Sequence, residues 1–323
     1  MDLQITRKNG ETFTLGEYGV TVSDVVVNGI EMEEQSESIE GLNGYFDMGA
    51  VYKGRDINVP FSFQGQNLGT YSVFRDLIYQ LTTSTEPYYI QEMRRPKIQG
   101  YTFKEPSIDS NAYSKDQYGR LTVFDAQQTD NELSTGKRYL VRLSGAVEIE
   151  QSKQTAKGKG ELTFHTVELP FGESVGTSLD LEQGLKYGQV PMWAYGMNLE
   201  YGTDKMQFTF KPRLETEVTF YNIGDVPVDQ FNQHFRIIME FQQDVPNNFQ
   251  FGINKLNCQI DHEANIKKGD VVIFQNGSVT KNGLSIINHT NFGEIEAQVG
   301  ANKFMMNTHW DVDVSLDLRF YYL

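Results

Sequence analysis

Three groups of residues in this chain have the types and spacing that chemistry requires. Gly172-Glu173-Ser174-Val175-Gly176 matches the G-x-S-x-G nucleophile elbow, in which a serine on a strained strand-to-helix turn is exposed for attack on an acyl carbon. That chemistry needs a strand before the serine, a helix after it and a parallel α/β sheet to hold the turn. The residues after Gly176 offer a short helical turn at most, and no repeated βα units accompany them, so Ser174 reads as a glycine-flanked linker serine. The second group is acidic and imidazole-bearing. His165, His234, His262, His289 and His309 are too dispersed to form a zinc site by spacing, and the neighbours in Asp261-His262-Glu263 diverge on an extended chain. Asp311, Asp313 and Asp317 share one strand face, which solvation accounts for without an ion. The third group is aromatic: Trp193, Tyr195 and Trp310 are candidates for stacking on sugar rings, with packing in a core as the stronger reading. Neither G-x-x-x-x-G-K-[ST] nor G-x-G-x-x-G occurs. No catalytic residue, metal or cofactor is expected, and the chain reads as a non-enzyme.

The elements that would position these residues are strands. Ile57, Val59, Phe61 and Phe63 alternate with polar positions, as do Tyr139, Val141 and Leu143, and Phe235, Ile237, Met239 and Phe241. The clearest series is Val312, Val314, Leu316, Leu318 and Phe320 against Asp311, Asp313, Ser315, Asp317 and Arg319. Asn9-Gly10, Asn28-Gly29, Asn276-Gly277 and Asn282-Gly283 supply turn chemistry. One amphipathic helix is expected over 70–81, with Val73, Phe74, Leu77, Ile78 and Leu81 at helical spacing behind a Thr70 cap, packed on one face of a sheet. Residues 105–136 read as a long loop or hairpin arm, and 170–190 as the domain boundary.

Composition bounds the partners. A chain of 323 residues favours two domains, and 39% hydrophobic with 22% charged residues is ordinary for globular proteins. Net charge is −15, and from Asn9 to Tyr52 there are nine acids and no Lys or Arg. A surface that grips phosphates needs clustered cations, so nucleic-acid binding is excluded. The acidic stretch is either a solvated loop or a surface that repels DNA or meets a basic partner. Cys258 is alone, which rules out a disulfide framework and favours a buried structural thiol. The start lacks the apolar core of a signal peptide and no apolar run reaches membrane length, so assembly in a reducing cytoplasm and no membrane partner are expected.

With Lys53-Gly54-Arg55-Asp56-Ile57-Asn58-Val59-Pro60-Phe61-Ser62-Phe63, then the helix, then Thr85-Glu86-Pro87-Tyr88-Tyr89-Ile90, the chain resembles the distal tail protein family of siphophages infecting Gram-positive bacteria. Lys137-Arg138-Tyr139-Leu140-Val141-Arg142 and Leu162-Thr163-Phe164-His165 through Pro170-Phe171 follow in the family's order. Phe220-Tyr221-Asn222-Ile223-Gly224-Asp225-Val226-Pro227-Val228, Lys268-Gly269-Asp270-Val271-Val272-Ile273 and Val299-Gly300-Ala301-Asn302-Lys303-Phe304 resemble strands of its galectin-like sandwich. Two departures stand out: Asn254-Lys255-Leu256-Asn257 where the family often has Asn-x-Thr-Thr-Gly, and longer loops at 31–48 and 105–136.

The resemblance implies a mainly β fold: a ring-forming, β-barrel-like N-terminal domain with one packed helix at 1–172, and a galectin-like β-sandwich at 173–307. Residues 308–323 would return to the first domain. It implies a homohexameric ring in the virion that links tail tube to tail tip or baseplate. Its partners would be the major tail protein, the tape-measure protein, the tail-associated lysin or tip protein and a receptor-binding protein, with DNA passing through the lumen unbound. An acidic lumen offers no cations to a sliding polyanion, so Glu31, Glu33, Glu34, Glu37 and Glu40 are expected at the lumen or tube junction. The alternative is a carbohydrate-binding module that contacts the host cell wall.

Overall fold

The computed structural model describes the chain from Met1 to Leu323 except residues 42, 94–113, 116–120, 123–135, 154, 184–191, 195, 200–205 and 212–216. It is mainly β and divides into two compact units, Met1–Ser114 with Thr122–Gly172 and Leu323, and Glu173–Tyr322 with Lys115–Leu121.

The first unit contains β1 (Asp2–Thr6), β2 (Thr12–Thr14), β3 (Val20–Val22), β4 (Val26–Val27), β5 (Glu31–Glu37), β6 (Phe46–Gly54), β7 (Asp56–Gln64), α1 (Leu68–Thr82), β8 (Tyr88–Met93), β9 (Ser114–Lys115), β10 (Leu121–Thr122), β11 (Lys137–Leu143), β12 (Ile149–Gln151) and β13 (Lys157–Thr166). An antiparallel sheet runs β2-β1-β8-β11-β13-β7-β3, with β12 beside β13 and β4 beside β7. Its longest ladder joins β7 to β13, from Gln64 opposite Lys157 to Asp56 opposite His165. Period-two alternation sends Ile57, Val59, Phe61 and Phe63 into the core with Leu162 and Phe164. Between β6 and β7 the buried Arg55 donates its backbone N–H to Thr166 Oγ1 at 2.9 Å and sets its guanidinium 5.7 Å from the Tyr139 ring centre.

Helix α1 begins two residues earlier than the sequence suggested. Asn67, not Thr70, is the cap: its Oδ1 accepts from Thr70 N at 3.0 Å, while Thr70 Oγ1 accepts from Asn67 N at 3.2 Å. The helix packs Tyr71 and Phe74 on Phe63, ring centres 5.4 and 5.6 Å apart, and leaves Val73 exposed. In the segment expected as a loop or arm, β9 and β10 pair with each other. The rest of 105–135 lies outside the described residues.

The second unit opens from β14 (Gly172–Ser174) and α2 (Ser178–Glu182). There follow β15 (Thr209–Phe210), β16 (Glu217–Asn222), β17 (Val228–Asp229), β18 (Phe235–Phe241), β19 (Phe249–Ile253), β20 (Cys258–Ile260), β21 (Val271–Gln275), β22 (Ser278–Lys281), β23 (Leu284–Ser285), β24 (Glu296–Ala297), β25 (Gly300–Met306), β26 (Val312–Leu318) and β27 (Tyr321–Tyr322). Two sheets, β15-β26-β18-β21-β22-β23 and β16-β25-β19-β20, form a sandwich. Phenylalanine pairs join one sheet to the other: Phe251 with Phe274 at 4.7 Å, Phe241 with Phe249 at 5.3 Å and Phe210 with Phe304 at 5.6 Å.

The expected return of residues 308–323 to the first domain divides in two, since the last strand, Tyr321–Tyr322, pairs with Gly172–Ser174 as part of the first sheet. Residues 312–318 do not return to the first unit; β26 lies between β15 and β18, pairing with β18 from Val312 opposite Phe241 to Leu318 opposite Phe235. The alternating apolar residues that made this strand legible are what the second unit's core needs on that sheet, and Val312, Val314, Leu316 and Leu318 are fully buried there.

Replacing Phe251 by Ala removes a ring that touches Phe249, Phe274 and Phe304. We expect a loss of about 3–5 kcal/mol in urea-unfolding stability, because the surrounding rings cannot collapse into the space left.

Candidate assembly surface

None of the reactive groups singled out in the sequence converges into a site. Ser174 is fully buried, its Oγ donating to Gly176 O at 2.6 Å and accepting from Phe320 N at 3.0 Å. Arg319 clamps the same turn by donating to the carbonyls of Ser174 and Val175. The serine's hydrogen-bonding capacity is spent on fastening two segments of backbone. Burial pushes the Cys258 thiol up to about 12, with Lys255 opposing, so it remains protonated. Asp261 Oδ1 accepts from Gln259, His262 Nδ1 lies beside Asn248, and Glu263 stands 3.9 Å from His289. Among the described residues no three His, Cys, Asp or Glu side chains are grouped to hold a metal ion.

The strand face carrying Asp313 and Asp317 is not simply solvated. Asp313 pairs with Lys211 at 3.0 Å, whereas Asp317 is buried 3.3 Å from His234 Nε2 and 3.5 Å from Arg236. Burial would raise the Asp317 carboxyl, but His234, the Thr177 hydroxyl and Arg236 together hold it below the usual carboxylate range. Of the aromatic candidates, Trp310 is buried edge-on to Phe249 at 6.2 Å, with Nε1 donating to Asn307 Oδ1 at 3.2 Å. Trp193 is half-buried beside Phe320 at 6.0 Å. Tyr195 lies outside the described residues.

The surface that stands out is built by β5 and β6. Strand β6 ends at Gly54 and β7 begins at Asp56, so the two are a nearly continuous run whose C-terminal half is a core strand. Likewise β4 pairs with β7, and the chain then continues into β5, which pairs with β6. The hairpin is thus an extension of core strands. With nine residues in β6, it measures about 30 Å at ~3.3 Å per residue. Every described residue from Glu31 to Lys53 is exposed. The sequence suggested a loop here. The reason strands form instead is the alternation Phe46, Met48, Ala50, Tyr52, masked by the glutamates of the opposite strand.

The register sorts the two faces. Met32 faces Tyr52, Glu34 faces Ala50 and Ser36 faces Asp47 on one face, so exposed apolar side chains and carboxylates are mixed there. The other face carries Glu33 opposite Val51, with Glu33 ion-paired to Lys53, and Glu37 opposite Phe46. Register shifts between Glu31 and Met32 and between Glu34 and Ser36 mark bulges. Tyr52 meets Phe171 edge-on at 5.6 Å near the base. Of the sequence-predicted acids, Glu31, Glu33, Glu34 and Glu37 lie on β5 and Glu40 lies in the connecting turn, all exposed.

Residues 8–166 match the model of the phage tail protein RIFT-related domain. Among solved structures, the Dit protein of phage SPP1, described as a paradigm of hub adsorption apparatus in Gram-positive infecting phages, is similar across 98% of this chain and 99% of its own, at 9% identity and a TM-score of 0.52. Two structures of the phage p2 baseplate in its activated conformation, with Sr and with Ca, align over 98% and 99% of this chain and 97% of theirs, at 8% and 9% identity and TM-scores of 0.36. No curated protein sequence matches. The phage-tail domain and the shared fold bear out the resemblance to siphophage distal tail proteins.

Two stability outcomes follow. Ser174→Ala should cost about 1–3 kcal/mol in thermal unfolding, since Phe320 N–H loses its acceptor in a buried place. Asp317→Asn should cost about 3 kcal/mol at neutral pH. The folded carboxyl titrates below its unfolded counterpart, so its contribution is present above the unfolded value and lost as pH falls through the folded one. Denaturation curves of wild type and variant should therefore converge in acid.

Proposed function

We propose that this chain is the subunit of a closed, hexameric ring at the distal end of a siphophage tail, joining the tail tube to the tip or baseplate. The observation that carries this reading is the β5–β6 hairpin. A two-stranded sheet with no core of its own is marginal in water, and this one presents Met32, Phe46, Met48 and Tyr52 uncovered. Among the described residues no further strand pairs with its two outer edges. A ring gives each hairpin neighbours on both sides and closes without leaving an end, which a heterologous contact does when its rotation closes.

Within that reading the apolar and the acidic side chains of the hairpin have separate work. The exposed Met32, Phe46, Met48 and Tyr52 pack against a neighbouring subunit or the tail tube, and the acidic outer edge of β5 fronts the lumen. Glu31, Glu33, Glu34, Glu37 and Glu40 there repel phosphates, so DNA slides through without pairing. The major tail protein and tape-measure protein would meet the ring from the tube side, and the tail-associated lysin and receptor-binding protein from the tip side. The work is structural and needs no reactive centre, in keeping with the burial of Ser174 and Cys258.

The test has two arms. Native mass spectrometry should give a species of six times 36.9 kDa, with negative-stain images showing a central hole. The double variant Phe46→Asp, Met48→Lys should keep the wild-type melting temperature within about 2 °C, because exposed substitutions stay within about 0.5 kcal/mol, yet fail to complete tails when it replaces the wild-type gene. Normal infectious titre from that variant would remove the hairpin from assembly.

A further inference from the structure

We propose that Asn28-Gly29, the joint where core strand β4 passes into the exposed strand β5, is a site of spontaneous deamidation, at which Asn28 converts to aspartate and isoaspartate with water as the only co-reactant. The inference stands apart from the ring reading.

The reaction needs a nucleophile and an electrophile that are adjacent and unshielded. The backbone nitrogen of Gly29 gives up its proton to solvent base and attacks Cγ of Asn28. The N–Cγ bond forms, the Cγ–Nδ2 bond breaks, and the carboxamide nitrogen takes a proton from solvent and leaves as ammonia. Water then opens the cyclic succinimide. Cleavage at Cγ gives aspartate, and cleavage at the main-chain carbonyl carbon gives isoaspartate, whose backbone runs through Cβ. A glycine in second place favours all this, since it carries no Cβ to screen the attacking nitrogen.

Five Asn-Gly pairs occur in the sequence, and the structure separates them. At Asn9-Gly10 the nucleophile is occupied, with Gly10 N donating to Arg7 O at 2.9 Å and Asn9 Oδ1 accepting from Glu11 N at 3.0 Å. At Asn282-Gly283 the electrophile is held, with Asn282 Oδ1 accepting from Val271 N at 2.9 Å and Nδ2 donating to Asp270 Oδ1 at 2.7 Å. Asn276-Gly277 is the tip of the β21–β22 hairpin, closed by the pairing of Gln275 with Ser278 and fixed at φ values of +50° and +66°. So tight a turn cannot swing its backbone nitrogen onto the side chain without breaking the pairing.

Asn28-Gly29 is open on each count. Residues 28–30 lie between strands, and both members of the pair are exposed. Among the described residues neither the Asn28 carboxamide nor Gly29 N has a hydrogen-bond partner, and the space a Gly29 Cβ would take is empty to 4 Å. Asn43-Gly44, in the turn between β5 and β6, is similarly unengaged and is expected to react too, but a change in that turn displaces no core strand.

Position makes the product at 28 consequential. Asn28 N donates to Asp56 O at 3.0 Å, continuing the register that pairs Val26 with Asn58 and Val27 with Ile57. An aspartate at 28 therefore stands opposite Asp56, whose carboxylate His165 Nδ1 already engages at 2.7 Å, and like charges directly opposite weaken a strand pair. Isoaspartate does more. It inserts Cβ into the main chain, a lengthening of about 1.5 Å, between the residues that fix β4 to the core and those that carry β5. The faces of the hairpin then no longer follow from the β7 register.

The test is an ageing series on the full-length protein, kept warm at mildly alkaline pH. Electron-transfer fragmentation assigns each position and separates isoaspartate from aspartate. Conversion at Asn28 is expected at least tenfold faster than at Asn9 and Asn282, accelerating with pH, with isoaspartate among the products. Asn28→Gln should abolish it while leaving conversion at Asn43 unchanged. Amides of residues 25–30 should exchange with deuterium at least fivefold faster in aged wild type than in aged Asn28→Gln. Equal rates at positions 28, 9 and 282 overturn the proposal, and equal exchange in the two aged proteins overturns the disturbance of the joint. Ring mass is measured on fresh protein, so either failure leaves the ring reading standing.

Discussion

The ladder between β7 and β13 is the constraint on which the first unit depends. It fixes which side chains of Asp56–Gln64 enter the core, it gives α1 the ring of Phe63 to pack on, and its open end sets the direction in which β6 leaves the sheet. A slip of one residue would turn Ile57, Val59, Phe61 and Phe63 outward together. Since β6 and β7 are separated by Arg55 alone, that slip would also invert the two faces of the exposed hairpin. Core packing and the presentation of Met32, Phe46, Met48 and Tyr52 are therefore set by the same register.

The second unit is organised differently. Its stability lies in phenylalanine pairs between sheets, and its polar groups act as fasteners: Ser174 on Phe320, Arg319 on the Ser174 turn, Asn291 on Asn257. This is why motif reading alone misleads there. A serine between glycines satisfies an enzyme pattern and also satisfies the need for a small hydroxyl in a tight, buried turn, and only the environment separates the two.

Much of the architecture was legible in residues. The alternation at Ile57–Phe63, Phe235–Phe241 and Val312–Leu318 became strands because period two and a buried face leave no other solution. What sequence could not say was which sheet a strand joins, and β26 illustrates it: an amphipathic strand names its buried face but not its neighbour. The hairpin was missed for the opposite reason. Glutamates on one strand and turn-rich residues after it hid the apolar alternation of Phe46, Met48, Ala50 and Tyr52, which stay exposed in the protomer.

The carboxylates of β5 have one more effect, on the protein before it finds its place. A pair of strands with exposed methionines and no described strand on its outer rims is a shape from which sheets can stack, and copies synthesised side by side would meet rim to rim. Four like charges on a single strand make that encounter repulsive at range. The strand's acidity thus acts as a colloidal safeguard for the unassembled pool, strongest in dilute salt and weakest where ions screen it.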